Sequence, residues 1–261
     1  MEQTRSLNLK GLMNKVPEVT IYFWIIKIFS TTVGETAADF LNFNLNFGLT
    51  TTSLVMASLL AVALFLQVRA KRYIPWVYWL TVVLISVVGT LITDNLTDNF
   101  GVPLATTTIA FTLALAVTFI AWYAKERTLS IHSIVSRPRE LFYWAAILFT
   151  FALGTAAGDW VAESANIGYV NAAIIFAGCI ALIILAHDLL KLNSVLAFWL
   201  AYILTRPLGA SFGDLITQPA QNGGFGIDNT LVNIVFLVTI IALVAYLTIT
   251  RKDVTDMRSA T

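Results

Sequence analysis

The chain has 261 residues, of which 58% are hydrophobic and only 12% are charged. Soluble domains carry about 25% charged residues, so this composition excludes an ordinary soluble protein and predicts an integral membrane protein. The net charge is only +1, and the placement of the charges is more informative than their sum.

Eight segments are apolar and long enough to cross a bilayer as helices, since a hydrocarbon core about 30 Å thick needs roughly 20 such residues. In chain order they are residues 20–40, 49–70, 75–95, 103–124, 141–161, 168–190, 194–217 and 229–250. Pro75 and Pro103 stand at the start of two segments, where a missing backbone amide costs nothing. The sequence therefore predicts an all-α membrane protein with eight transmembrane helices.

A three-residue signature recurs in the odd-numbered segments: a tryptophan, a glycine ten residues later and an aspartate five residues after that. Its four copies are Trp24–Gly34–Asp39, Trp79–Gly89–Asp94, Trp144–Gly154–Asp159 and Trp199–Gly209–Asp214. A signature in every second segment predicts four parallel helical hairpins, and the spacing of the copies groups them into two four-helix halves. The predicted parts are an N-terminal segment (1–19), a first half (20–124), a linker (125–140), a second half (141–250) and a C-terminal tail (251–261).

The signature resembles that of a family of small bacterial membrane proteins built from four tandem two-helix repeats, each with a marked tryptophan and known as a repeat of unknown function. The resemblance covers residues 20–250. It implies an eight-span protein of the bacterial inner membrane, and it implies no substrate.

The basic residues predict the orientation. Fourteen of the sixteen Lys and Arg residues fall on one side of the predicted membrane, and the loops on the other side contain none. The exceptions, Lys27 and Arg206, lie within segments. The positive-inside rule then predicts that both termini are cytoplasmic. Because topology accounts for these basic residues, we expect no binding of nucleic acid.

The tryptophan and the glycine of the signature suggest structural roles. Each tryptophan follows Phe or Tyr at the start of its segment, which is typical of an interfacial aromatic belt, the alternative being a packing role specific to the repeat. The glycines lie about 15 Å deeper, and a second small residue follows four positions later in each copy. Such pairs predict close packing of the odd-numbered helices around a common axis, with the even-numbered helices facing lipid. The four glycines are Gly34, Gly89, Gly154 and Gly209.

The aspartates are the candidate functional residues. An intramembrane carboxylate costs a few kcal/mol, so we weigh a helix-capping role at the outer interface against a functional cluster on the axis. The predicted site comprises Asp39, Asp94, Asp159 and Asp214, with Glu35, Thr90 and Thr155 adding oxygens one turn below. Arg206 is expected to pair with a carboxylate of a neighbouring repeat and partly with Asp214. Lys27 is a further charge partner or snorkels toward the cytoplasm. Asp98, Glu163 and Asp228 either form an outer anionic vestibule or are ordinary solvated acids of the loops.

Carboxylate and hydroxyl oxygens suit hard cations, and the polar stripe has almost no His, Cys or Met, which argues against copper or zinc. The first hypothesis is therefore a transporter or channel for a small divalent cation, manganese being favoured, with proton-coupled export. The alternatives are a membrane sensor or assembly factor without transport, and a metal-dependent intramembrane enzyme. We expect no enzyme activity, because no serine–histidine pair, phosphate loop or zinc motif appears. The expected partners are the bilayer and the cation, with no resident cofactor, and an oligomer is compatible with the sequence.

Overall fold

The computed structural model describes residues 14–165 and 167–254, apart from the side chain of Phe43. Within these residues the chain forms eight long α-helices and no strand. They are α1 (Ile21–Asp39), α2 (Leu49–Arg69), α3 (Pro75–Asp94), α4 (Leu104–Glu126), α5 (Arg137–Asp159), α6 (Tyr169–Leu190), α7 (Ser194–Thr217) and α8 (Asn229–Thr250). Each predicted segment coincides with one helix. The largest difference is at α5, which begins four residues early because Ser136 caps its N-terminus by accepting a bond from the backbone amide of Arg139.

Seven of the eight helices in the described chain are long and apolar enough to cross a membrane. The remaining helix, α1, contains Lys27, Glu35 and Asp39 within its nineteen residues. Several long apolar helices of this kind indicate a multi-pass membrane protein. The structure therefore supports the membrane character that the composition predicts.

The odd-numbered helices form a closed inner ring. Around it α1 packs against α3, α3 against α5, α5 against α7, and α7 against α1. The helices α2, α4 and α6 each pack on the inner helix that follows them, and α8 packs on α1 and α3. The most apolar stretch is 78% buried in α3 but only 17% buried in α2, α4 and α6. The predicted division into inner odd-numbered and outer even-numbered helices is thus confirmed.

Each signature glycine lies where two neighbouring inner helices touch. A Cβ atom would collide with Ser86 if added at Gly34, with Phe151 at Gly89, with Arg206 at Gly154 and with Thr31 at Gly209. Every one of these contacted residues lies three positions before the glycine of the next repeat. The same contact therefore occurs four times, once at each junction between neighbouring helices of the ring, and small residues allow this close approach.

Three inner helices change pitch directly after their signature aspartate. The five-residue π-helical turns Phe40–Asn44, Asn95–Asn99 and Trp160–Ser164 follow α1, α3 and α5. The fourth inner helix, α7, instead continues to Thr217 and is followed by the 3₁₀ turn Ala220–Asn222. π-Helical turns are frequent at functional sites. The first three repeats have such a turn next to their aspartate, and the fourth repeat has an ordinary α-helix there.

The end of the ring that carries the basic residues is closed by chain segments outside the helices. Lys15 reaches under the ring, where its Nζ donates to Glu140 Oε2 at 2.6 Å and to the carbonyl oxygen of Val68 at 2.9 Å. Its backbone amide donates to the carbonyl of Ile134 in the central linker. Residues 14–19 and the linker therefore form one cap on what we call the basic end.

Candidate functional site on the ring axis

Arg206 lies at the centre of the ring and binds residues of the three other inner helices. From α7, its guanidinium donates to the carbonyl of Thr31 at 2.9 Å and to Glu35 Oε2 at 3.1 Å, both on α1. It also donates to the hydroxyl of Thr90 on α3 and, at 2.8 Å, to that of Thr155 on α5. The side chain is 0% exposed. Because a buried charge is costly unless it is paired and hydrogen-bonded, these contacts explain how the ring accommodates an arginine.

The structure corrects the expected partner of this arginine. A carboxylate of a neighbouring repeat was predicted, and Glu35 is that carboxylate. The additional pairing with Asp214 was wrong. Asp214 lies eight residues further along the same helix, so the two backbone positions are about 12 Å apart along the helix axis. Arg206 pairs with Glu35 and not with Asp214 in the described chain, and Gly154 leaves room for the stem of Arg206 to reach the centre.

Three carboxylates converge next to this arginine. Within the described chain, Glu35, Asp159 and Asp214 form a group in which one oxygen of each lies within 4.8 Å of the others. They come from α1, α5 and α7, so ring closure brings them together. Three carboxylate oxygens at such separations can hold a hard cation such as Mg²⁺, Mn²⁺ or Ca²⁺. We refer to Glu35, Asp159 and Asp214 as the carboxylate group.

The other predicted ligands lie around this group in different roles. Asp39 and Asp94 are half-buried, outside the carboxylate group, and interact electrostatically with Glu35. The hydroxyls of Thr90 and Thr155 bind Arg206 instead of lying free below the aspartates. The structure thus places all seven predicted residues in one region of the ring, and three of them converge closely enough to share a metal ion.

Two of the three vestibule candidates lie near the aspartates. Asp98 interacts electrostatically with Asp39 and Asp94, and Glu163 interacts with Asp39 and Asp159. The third candidate, Asp228, has another role: its Oδ1 accepts from the backbone amide of Leu231 at 2.9 Å and caps α8. We call the end of the ring near the aspartates the acidic end.

Lys27 fills the axis on the other side of Arg206. It is 0% exposed, and its Nζ lies 4.4 Å from the ring centroid of Phe151 and 4.3 Å from that of Tyr202. This Nζ donates no hydrogen bond within the part of the chain that the structure describes. Both sequence interpretations, a carboxylate partner and snorkelling to the interface, were therefore wrong. Cation–π contacts with two aromatic faces replace them.

Aromatic side chains close the axis below Lys27. The residues that precede the signature tryptophans meet there: the hydroxyls of Tyr78 and Tyr143 hydrogen-bond to each other, and the rings of Phe23 and Phe198 lie 6.0 Å apart. We call these four residues the aromatic plug. Together with Lys27 and Arg206, the aromatic plug fills the axis between the carboxylate group and the basic end.

The signature tryptophans lie in this region and not at a lipid-facing belt. Trp79, Trp144 and Trp199 are 2%, 4% and 4% exposed, and the indole nitrogen of Trp199 donates to the carbonyl of Leu129 in the linker. For these three the interfacial interpretation was wrong, and the alternative, packing specific to the repeat, is confirmed. Trp24 is half-buried.

One serine–histidine pair that the sequence did not reveal lies at the basic end. His187, in the last turn of α6, has its Nε2 3.1 Å from the Oγ of Ser194, the first residue of α7, and its Nδ1 3.0 Å from Asp188 Oδ1. Catalytic triads bury the carboxylate that orients the histidine, whereas the side chain of Asp188 is 65% exposed. The contact of His187 with Ser194 joins the end of α6 to the start of α7. It lends no support to a hydrolase.

A protein-family model described as Repeat of Unknown Function (DUF347) matches residues 22–73, 77–128, 142–190 and 197–253. The chain belongs to this repeat family. Each matched unit contains one inner helix and the outer helix that follows it, so the repeat of the family is the helical hairpin predicted from the tryptophan–glycine–aspartate spacing. No curated protein and no solved structure matches the chain.

Proposed function

We propose that the chain is a transporter for a small divalent cation, with manganese favoured, and that the carboxylate group holds the cation. The observation that carries this proposal is the convergence of Glu35, Asp159 and Asp214, whose oxygens lie within 4.8 Å of one another. Such oxygen ligands suit hard cations better than copper or zinc. Because the ligands come from three helices of the inner ring, a bound cation lies inside the protein, as transport requires.

A carrier fits the contacts below the site better than an open channel does. Arg206, Lys27 and the aromatic plug fill the axis between the carboxylate group and the basic end. A cation can pass only after these side chains move, so the site opens to one side of the membrane at a time. Pro207 lies beside Arg206 inside α7, where it removes a backbone hydrogen bond and allows the helix to bend.

The charges of the site support coupling to protons. Glu35 and the four signature aspartates provide five carboxyl groups, against two basic side chains on the axis. Buried charges of one sign need compensation, which either protons or a metal ion can supply. Because protons and metal compete for the same oxygens, we propose export of the metal coupled to the entry of protons.

The placement in the cell follows from the distribution of basic residues. We propose eight spans in the bacterial inner membrane, with the basic end and both termini in the cytoplasm, since fourteen of the sixteen Lys and Arg residues lie on that side. The acidic end then faces outward. We propose no enzymatic activity, no resident cofactor and no binding of nucleic acid.

Flux into proteoliposomes tests the proposal. Purified protein is reconstituted, and uptake of Mn²⁺, Mg²⁺ and Ca²⁺ is compared at two pH values. Asp159→Asn and Asp214→Asn keep the side-chain shape and remove the charge, so we expect each to lower Mn²⁺ flux about tenfold or more, the equivalent of about 1.4 kcal/mol. The matched control is Asp228→Asn, because asparagine also caps a helix well and this residue lies outside the site.

Circular dichroism of each variant shows whether it has folded. Parent-like flux in Asp228→Asn, with reduced flux in the two site variants, is the expected result. If folded Asp159→Asn and Asp214→Asn transport Mn²⁺ as the parent does, the carboxylate group is not the transport site.

A further inference from the structure

A groove runs along the outside of the ring between α3 and α8. Its long part has a volume of about 510 Å³ and is lined by apolar side chains of both helices, among them Leu80, Val83 and Ile241. At the basic end the groove continues into a second space of about 220 Å³, which is lined by Arg72 and Arg251. Thr248 lines both spaces, so they are adjacent parts of one groove.

The two parts differ in chemistry. The long part exposes hydrocarbon at a depth where the membrane supplies acyl chains, and Trp76, which is 53% exposed, stands in its wall. The short part carries two guanidinium groups, one from the turn between α2 and α3 and one from the first residue after α8. An apolar groove that ends in a pair of arginines matches a molecule with an acyl chain and a phosphate.

Among the described residues, no acidic side chain pairs with either arginine of the groove. Arg72 and Arg251 are both exposed, and neither has an ion-pair partner within residues 14–165 and 167–254. The nearest acidic residue along the chain from Arg251, Asp253, is 1% exposed and accepts a hydrogen bond from the hydroxyl of Tyr73 at 2.6 Å. Its carboxylate is therefore engaged away from the surface. Lys71 and Lys252 are exposed next to the two arginines in the sequence and add positive charge.

We propose that this groove binds one anionic phospholipid, with an acyl chain between α3 and α8 and the phosphate between Arg72 and Arg251. Basic pockets between membrane helices near the cytoplasmic surface are known to hold anionic headgroups. Guanidinium groups bind phosphate oxygens by paired, charge-assisted hydrogen bonds. The proposal rests on the membrane character of the chain and not on cation transport, so each can fail without the other.

Quenching of Trp76 by brominated lipid measures occupancy of the groove. The full-length protein is reconstituted in phosphatidylcholine vesicles that contain increasing fractions of brominated phosphatidylglycerol or, separately, brominated phosphatidylcholine. The chain has seven tryptophans, so the quenching that disappears in Trp76→Phe is taken as the signal of the groove. We expect half-maximal quenching of Trp76 at a roughly tenfold lower fraction of phosphatidylglycerol than of phosphatidylcholine, since two charge-assisted contacts to the headgroup separate the lipids.

Three further measurements distinguish the contributions of the headgroup, the acyl chain and a free anion to binding in the groove. The double variant Arg72→Gln/Arg251→Gln should lose the preference for phosphatidylglycerol, and Lys191→Gln, an exposed basic residue outside the groove, should keep it. Ala245→Phe fills the long part of the groove and should weaken quenching by both lipids. Inorganic phosphate should not restore the fluorescence of Trp76.

The outcomes that overturn the proposal are distinct. Equal quenching by both lipids in the parent, or an unchanged preference in the double arginine variant, shows that the arginines select no headgroup. Recovery of fluorescence with inorganic phosphate shows an anion site that needs no lipid. If the double variant does not fold, the parent alone decides the question, because high salt should then abolish its preference for phosphatidylglycerol.

Discussion

Replacing Gly89 with alanine should loosen the inner ring, although alanine favours a helix. A Cβ atom there would lie 2.6 Å from Cβ of Phe151 and 3.1 Å from the backbone nitrogen of Ala152, whereas ordinary contact begins at 3.4 Å. Backbone atoms cannot rotate away, so α3 and α5 have to separate. Overpacking of this kind costs about 1–3 kcal/mol, and alanine regains up to about 1 kcal/mol of helix propensity. Because a backbone atom is in the way, we expect the overpacking cost to lie at the upper end of its range. The free energy of unfolding should then fall by a net amount of about 2 kcal/mol.

Gly178→Ala is the matched control for this substitution. Gly178 lies in the outer helix α6, and a Cβ atom added there meets nothing within 4 Å. Unfolding in detergent is followed by circular dichroism, and the midpoints of the two variants are compared with that of the parent. We expect a lower midpoint for Gly89→Ala and an unchanged or higher one for Gly178→Ala. Equal midpoints for the two variants would refute the close approach of α3 and α5.

Two further predictions concern the cap at the basic end. Glu140→Gln leaves the buried Lys15 without its counter-charge and should lower the free energy of unfolding by about 3 kcal/mol. The control Glu126→Gln breaks the more exposed pair with Arg139 and should cost at most about 1 kcal/mol; similar losses in the two variants would contradict the importance of burial. A hydrogen bond with Glu18 raises the pKa of His132 above its usual 6.5. Its contribution to stability is therefore complete below about pH 6.5 and is lost as the pH rises through the raised pKa. Unfolding midpoints at about pH 6 and pH 9 should differ less in His132→Gln than in the parent, and an identical pH dependence would show that the contact does not contribute.

The repeat and the ring could be predicted from the sequence because both depend on spacing. A tryptophan, a glycine and an aspartate at constant separations define equivalent depths in four helices, and small residues at one depth indicate where backbones approach. Gly34 and Gly209 accordingly lie at equivalent contacts, although 175 residues separate them. The spacing does not determine how each helix is rotated about its own axis.

The details of the site depend on that rotation and on which helices are neighbours. Arg206 reaches Glu35 because α7 packs against α1. Spacing predicts a carboxylate of a neighbouring repeat as the partner but does not reveal which carboxylate the side chain reaches. The environment of Lys27 comes from Phe151 and Tyr202, two aromatic residues on other helices that had no visible relation to it. The pattern indicates the depth of the tryptophans in the membrane. It does not indicate whether their side chains face lipid or protein.

Binding of Mn²⁺ to the purified protein tests the central claim most directly. Free Mn²⁺ has a strong paramagnetic resonance signal that weakens on binding, so a titration gives the number of sites and their affinity. We expect the parent and Asp228→Asn to bind Mn²⁺ alike, and the double variant Asp159→Asn/Asp214→Asn, which removes two members of the carboxylate group, to bind it at least about a hundredfold more weakly if each lost charge weakens binding tenfold. Parent-like binding by the folded double variant, or no binding by the parent, would contradict the account.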